Sequence, residues 1–135
     1  MSETRLSLTT ALRCQLFYAA LVILWQISGK VLVALELPSP GPSPSLTIAG
    51  IAFLVAGAMV LTANRVPLIF ALLALLSGYA AASTIQNAFV ADPSLWPSDL
   101  ARYAGVAINV VGVAAAAFSM TALAVRFRGR AATPD

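Results

Sequence analysis

The chain has no histidine, one cysteine (Cys14) and one lysine (Lys30) among its 135 residues. Without histidine, a His-ligated haem, a His-based zinc site and a histidine general base are excluded within the chain. One cysteine excludes an internal disulfide and a CxxC redox pair. Charge is scarce as well: 10% of the residues are charged, against about 25% in an ordinary soluble domain. The five carboxylates are Glu3, Glu36, Asp92, Asp99 and Asp135, and none lies deep in an apolar run. A proton pump or cation antiporter would need an acid there. No P-loop and no zinc-ligand spacing occurs, so the chain offers no metal site and no catalytic constellation.

What it has in abundance is apolar sequence. Sixty per cent (60%) of the residues are hydrophobic, and the mean hydropathy is +0.90. Such a surface is costly in water and at home in lipid. Four apolar runs stand out, at about 12–37, 46–63, 66–85 and 103–125. Each approaches the roughly 18–25 residues that cross a hydrocarbon core as a helix, and lipid-exposed backbone must close its own hydrogen bonds. The expected fold is therefore an all-α bundle of four transmembrane helices in a single domain. Loop 38–45 carries Pro38, Pro40, Pro42 and Pro44 and cannot be helical. Asn64-Arg65-Val66-Pro67 predicts a tight turn with Pro67 in the first turn of the third helix. Loop 86–102 contains Asp92-Pro93 and Trp96-Pro97-Ser98-Asp99, where Asp92 or Ser98 can cap a short helical turn and Trp96 suits a membrane interface.

Arginines give the orientation. Arg5, Arg13, Arg65, Arg126, Arg128 and Arg130 share one side of a four-span chain, while Arg102 stands on the other with Asp92 and Asp99. The positive-inside rule places both termini in the cytoplasm and loops 38–45 and 86–102 outside a bacterial inner membrane. The arginine cluster after the last run reads as this topology signal rather than as a nucleic-acid surface. The first run, with Gln26 and Lys30 inside it, reads as a membrane helix rather than a signal peptide.

Polar residues inside the runs are the site candidates. A charge at the centre of a membrane helix costs roughly 2.5–3.5 kcal/mol on insertion scales. Lys30 is such a charge, and Gln26 lies one turn before it on the same face, with Trp25 and Gly29 in the neighbouring stripe. Together they form a polar niche for an anionic or carbonyl-bearing ligand such as a quinone headgroup. Alternatively, Lys30 snorkels to the headgroups or pairs with a loop carboxylate. Asn109 can hydrogen-bond between helices. Gly50, Gly57, Gly105 and Gly112, spaced by seven in each helix, mark close-packing faces within the chain or against a partner. Cys14 reads as a small apolar filler.

Arg13, followed by an apolar helix ending in Ser28-Gly29-Lys30, resembles the opening of the DoxX-like small membrane proteins. The stretch Gly57-Ala58-Met59-Val60-Leu61-Thr62-Ala63-Asn64-Arg65, running into a leucine-rich third helix, is similar to that family's second helix and turn. Arg102-Tyr103-Ala104-Gly105 is similar to the start of its last helix. The resemblance covers Arg13 to about Phe118. It implies a four-helix membrane protein, with some relatives tied to thiosulfate:quinone oxidoreduction and others to membrane-associated oxidoreductase complexes. Arg13 and Lys30 are the positions it carries over as polar-site residues. The proline-rich loop and the extension of the first helix past Lys30 depart from the family pattern.

Two functions from different classes follow as expectations. The first is a non-catalytic accessory subunit of a larger bacterial membrane complex, redox or energy-transducing, embedded in lipid beside partner subunits. The second is a DoxX-like, quinone-interacting oxidoreductase component, with a small transporter as a third possibility. In each case the only expected bound molecules are a quinone or a lipid.

Overall fold

The structure, a computed structural model, describes residues 2–131, with side-chain environments from Ser7 onward except at Arg130. Asp135 lies outside the described residues, as do the side chains of Glu3, Arg5 and Arg130. The described residues form four α-helices: α1 (Ser2–Ala34), α2 (Leu46–Thr62), α3 (Pro67–Val90) and α4 (Asp99–Ala131), with one 3-10 turn at Pro93–Leu95. Helices α1, α3 and α4 are long and apolar enough to cross a membrane, and α2 is a shorter apolar helix of 17 residues. At 1.5 Å per residue α2 is about 25 Å long.

The helix ends follow local chemistry. Ser45 caps α2 by accepting the Ile48 N–H. Pro67 opens α3 at a position where no N–H is needed. Ser98 caps α4 by accepting the Ala101 N–H at 3.1 Å, and Asp92 caps the 3-10 turn through the Ser94 N–H at 2.9 Å. The second loop is therefore shorter than the sequence suggests: α3 runs on to Val90, and residues 91–98 make the connection. Gln86-Asn87-Ala88-Phe89-Val90 contains no helix breaker, so polarity ends the apolar run before Asp92-Pro93 ends the helix.

The Asp92 cap predicts a pH effect. The Ser94 hydrogen bonds hold this exposed carboxyl below the usual aspartate range. Its folded-state pKa lies below the unfolded one, so the stabilising contribution is fully present above the unfolded value. It is lost as pH falls through the folded value. The Asp92 carboxyl carbon is expected to titrate, by NMR, at a lower midpoint than aspartate in an unstructured peptide. A midpoint at the peptide value would mean the cap is not formed.

Helix α1 ends in a Schellman motif, with Leu37 N–H donating to Leu32 C=O at 2.8 Å and Glu36 N–H to Val33 C=O at 3.1 Å. Its left-handed position holds Glu36, at φ 59°, where glycine is usual. Glu36→Gly is expected to stabilise the protein by about 0.5–1 kcal/mol, because relief of the left-handed strain outweighs glycine's extra chain entropy. Detergent-solubilised thermal unfolding would check it, and a destabilised variant would contradict the motif.

The four helices form a ring, with α1 against α2 and α4, and α3 against α4. Of these neighbouring pairs, α2 and α3, although joined by a short turn, pack most thinly. One end of the bundle is solid. Leu8, Met59, Ala63, Phe70, Ala74 and Leu123 cluster there, bringing the start of α1, the α2–α3 turn and the end of α4 together. Arg126 reaches the same place and donates to the Ala63 carbonyl at 3.4 Å, a favourable position for a cation at the C-terminus of α2.

Small residues let the helices approach. A Cβ at Gly78 would fall 2.5 Å from the Ala116 Cβ, and one at Gly112 would fall 2.5 Å from the Tyr18 ring. Large apolar side chains point outward instead, Phe53 and Leu54 on α2 being 69% and 71% exposed. Core and surface are thus both apolar, as expected where lipid is the solvent.

Candidate functional site

Beyond the solid end the helices part around a cavity of about 520 Å³. Met59 lies at its floor, between the cavity and the cluster at the solid end. From α1 it is lined by Gln15, Tyr18, Ala19, Val22, Trp25 and Gln26; from α4 by Gly105, Ile108 and Asn109. Helices α2 and α3 contribute Ile51, Ala52, Val55 and Ala56, and Leu76, Ser77, Ala80 and Thr84. Among the described residues, no acidic or basic side chain lines it.

The proline-rich loop and Trp96 form its roof. Gly41 packs on the Trp25 indole, where a Cβ would fall 3.0 Å from Trp25 Nε1. A Cβ at Gly29 would fall 2.6 Å from Pro44 Cβ, so the glycine before Lys30 lets the loop fold back onto α1. Gln26 Oε1 fastens the loop by accepting the Ser45 N–H at 2.7 Å. Trp96 packs beside Trp25 over Gly105, with both indoles 3.4 Å from where a Cβ would stand. The Trp96 Nε1 is buried and has no hydrogen-bond partner.

Ile51 on α2 and Leu76 on α3 both line the cavity, yet they are 55% and 63% exposed. Both lie on the α2–α3 side, the most thinly packed of the neighbouring helix pairs.

Polar groups in the walls are oriented by their partners. Asn109 Nδ2 donates to the Gly105 carbonyl at 2.8 Å, which leaves Oδ1 to accept the Tyr18 hydroxyl at 2.9 Å. One turn deeper, Gln15 Nε2 donates to Ser119 Oγ at 3.2 Å, and Ser119 Oγ donates to the Ala115 carbonyl at 2.8 Å. Gln15 is 1% exposed, and its Oε1 has no partner.

The structure therefore brings together Trp25, Gln26, Asn109 and Gly105 from the sequence candidates, and Gly112 packs under Tyr18 in the same wall. Lys30 is exposed and makes no ion pair among the described residues. Arg13 is exposed too, and neither residue lines the cavity. The Arg102 guanidinium pairs with Asp99 at 2.8 Å. Gly50 and Gly57 face away from the bundle, with open space where a Cβ would stand.

Sequence reasoning missed Gln15 and Tyr18 and took Trp96 for an interface anchor. A signal was present: Leu8, Ala11, Gln15, Tyr18, Val22, Trp25 and Gly29 recur at alternating spacings of three and four. That is the seam of a helix packed in a bundle.

Compared with known proteins, the chain matches no family model, no curated protein and no solved structure.

Proposed function

We propose that this protein is a four-span bacterial inner-membrane protein, with both termini cytoplasmic, that binds an uncharged amphipathic molecule of the lipid or quinone class within its outward half. The observation that carries this reading is the cavity of about 520 Å³, apolar over most of its lining and free of charged side chains among the described residues. Ligand sites of this kind combine apolar walls with a few fixed polar groups. The thin packing between α2 and α3 supports entry from the bilayer on that side, where Ile51 and Leu76 are apolar and exposed. A DoxX-like, quinone-interacting role fits this cavity, with Trp25 and Gln26 at its mouth. In this reading Lys30 reaches the outer headgroups rather than the ligand.

The test is binding of a short-chain quinone, decylubiquinone, to the purified protein in mild detergent. Saturable binding that stabilises the protein is expected, and Lys30→Met should leave it unchanged. Absence of saturable binding by any quinone or lipid extracted from the host membrane would sink the reading.

A second reading rests on a different observation. Gly50 and Gly57 lie on the outer face of α2 with nothing against them, as a helix needs for close approach by another membrane helix. That supports an accessory subunit seated on a larger redox or energy-transducing complex. Mild-detergent purification should then recover a stoichiometric partner, whereas recovery of a lone chain would count against it.

A further inference from the structure

We infer that the deep end of the cavity selects a ligand whose head donates a hydrogen bond, a hydroxyl rather than a ketone or ether, through Gln15 Oε1. The inference rests on the cavity being a binding site and adds which chemical head it takes.

A chain of hydrogen bonds fixes the direction of the Gln15 amide. The Ser119 hydroxyl has one proton, and it is directed at the Ala115 carbonyl 2.8 Å away. Ser119 Oγ therefore has only lone pairs to offer Gln15, and the glutamine must present its NH2 at 3.2 Å. Turning the amide over would set its oxygen against Ser119 Oγ and force the hydroxyl to abandon the Ala115 carbonyl. The carbonyl oxygen of Gln15 is thus left as the free end of the amide, buried and without a partner.

An unpaired buried acceptor is costly, and almost all such groups in folded proteins find a donor. Gln15 lines the cavity with a small part of its side chain, and its Oε1 lies just behind that wall, so a donor in the cavity reaches it once the side chains over it shift. Tyr18, one turn along α1, reinforces the preference. Its proton is committed to Asn109 Oδ1, so the phenol oxygen also offers lone pairs. A ketone or ether head would bring a third acceptor to this corner and leave Gln15 unpaired.

The head must also be uncharged. Among the described residues no basic side chain lines the cavity, so a carboxylate or phosphate would lose its hydration without gaining a counter-ion. The class is a neutral hydroxyl-headed amphiphile: a long-chain phenol, a quinol in preference to its quinone, or a neutral hydroxylated lipid.

A redox-inert pair tests this, 4-nonylphenol against its methyl ether 4-nonylanisole, titrated into the purified protein in mild detergent. The quantity read is the ratio of their affinities, compared between wild type and Gln15→Met so that partition into the micelle cancels. The phenol is expected to bind about tenfold more tightly than the ether, in line with a donor reaching an otherwise unpaired acceptor. In Gln15→Met the ratio should fall to about one with ether binding retained. Ser119→Ala, which frees the amide to turn, should narrow the ratio while both ligands still bind. It also keeps the question open to test should Gln15→Met fail to fold.

An unchanged ratio in both variants, with both ligands bound, would overturn the donor preference and leave the cavity as a binding site. Equal binding of the two ligands to wild type would overturn it likewise, with a resident water satisfying Gln15. Failure of either ligand, and of decylubiquinone, to bind wild type would remove the binding reading itself.

Discussion

Gly112→Ala is expected to destabilise the protein by about 2–4 kcal/mol, because the added methyl meets a ring held in place by a hydrogen bond. A Cβ there would lie 2.5–2.8 Å from three carbons of the Tyr18 ring, closer than carbon atoms pack. Tyr18 is 7% exposed, and its hydroxyl is tied to Asn109 at 2.9 Å. The ring can yield only by breaking that bond or by pushing α1 off α4, so overpacking and a lost buried hydrogen bond act together. The other glycines supply controls. At Gly105 the nearest atoms to a Cβ stand at 3.4 Å, ordinary contact, so Gly105→Ala should cost much less. At Gly57 there is open space, and alanine's better helix propensity should make Gly57→Ala neutral or stabilising by up to about 1 kcal/mol.

Denaturation in mixed detergent would rank the three. A Tyr18→Leu background should recover much of the Gly112→Ala loss, since the two changes act through one contact. Additive effects would show that the clash is not the cause.

The glycine series also shows how far the sequence could be read. A seven-residue spacing on α2 and another on α4 predict close-packing faces, yet only the α4 pair touches another part of this chain. Spacing places residues on one side of a helix and does not say what that side meets. The helices themselves were legible, because length, hydropathy and proline-bearing connections are local properties. Cavity residues were harder. In a water-soluble helix the buried stripe differs from its surroundings in polarity, but on α1 the lipid-facing residues Phe17 and Leu24 are as apolar as any core. Gln15 therefore drew no notice, two residues from an arginine that did.

Lys30 illustrates the opposite case. Its cost depends on depth in the helix, and a lysine four residues before the end of α1 can stay exposed. Gln26, read with it as a niche, spends its carbonyl oxygen on the loop backbone. The cavity depends on that fastening: the proline-rich stretch, legible only as non-helical, becomes a roof when Gln26 holds Ser45 and Gly29 admits Pro44.

Filling the cavity gives the largest functional effect expected. Ala56 on α2 lines it between Ala52 and Met59, so Ala56→Trp would place an indole where the ligand's body lies. A ligand that binds only the folded protein stabilises it by about 2.7 kcal/mol when present at 100 times its dissociation constant. If the indole weakens binding a hundredfold, the same ligand concentration gives about 0.4 kcal/mol. The ligand-free protein should be no less stable than wild type, because the new ring occupies space that is otherwise unfilled and apolar. Loss of ligand response without loss of intrinsic stability separates this result from simple misfolding. Ala52→Trp, one turn nearer the loop, should act in the same direction. The measurement is thermal unfolding with and without 4-nonylphenol. A variant that keeps the full ligand-induced gain would mean that the ligand sits elsewhere, with the outer face of α2 the next place to look.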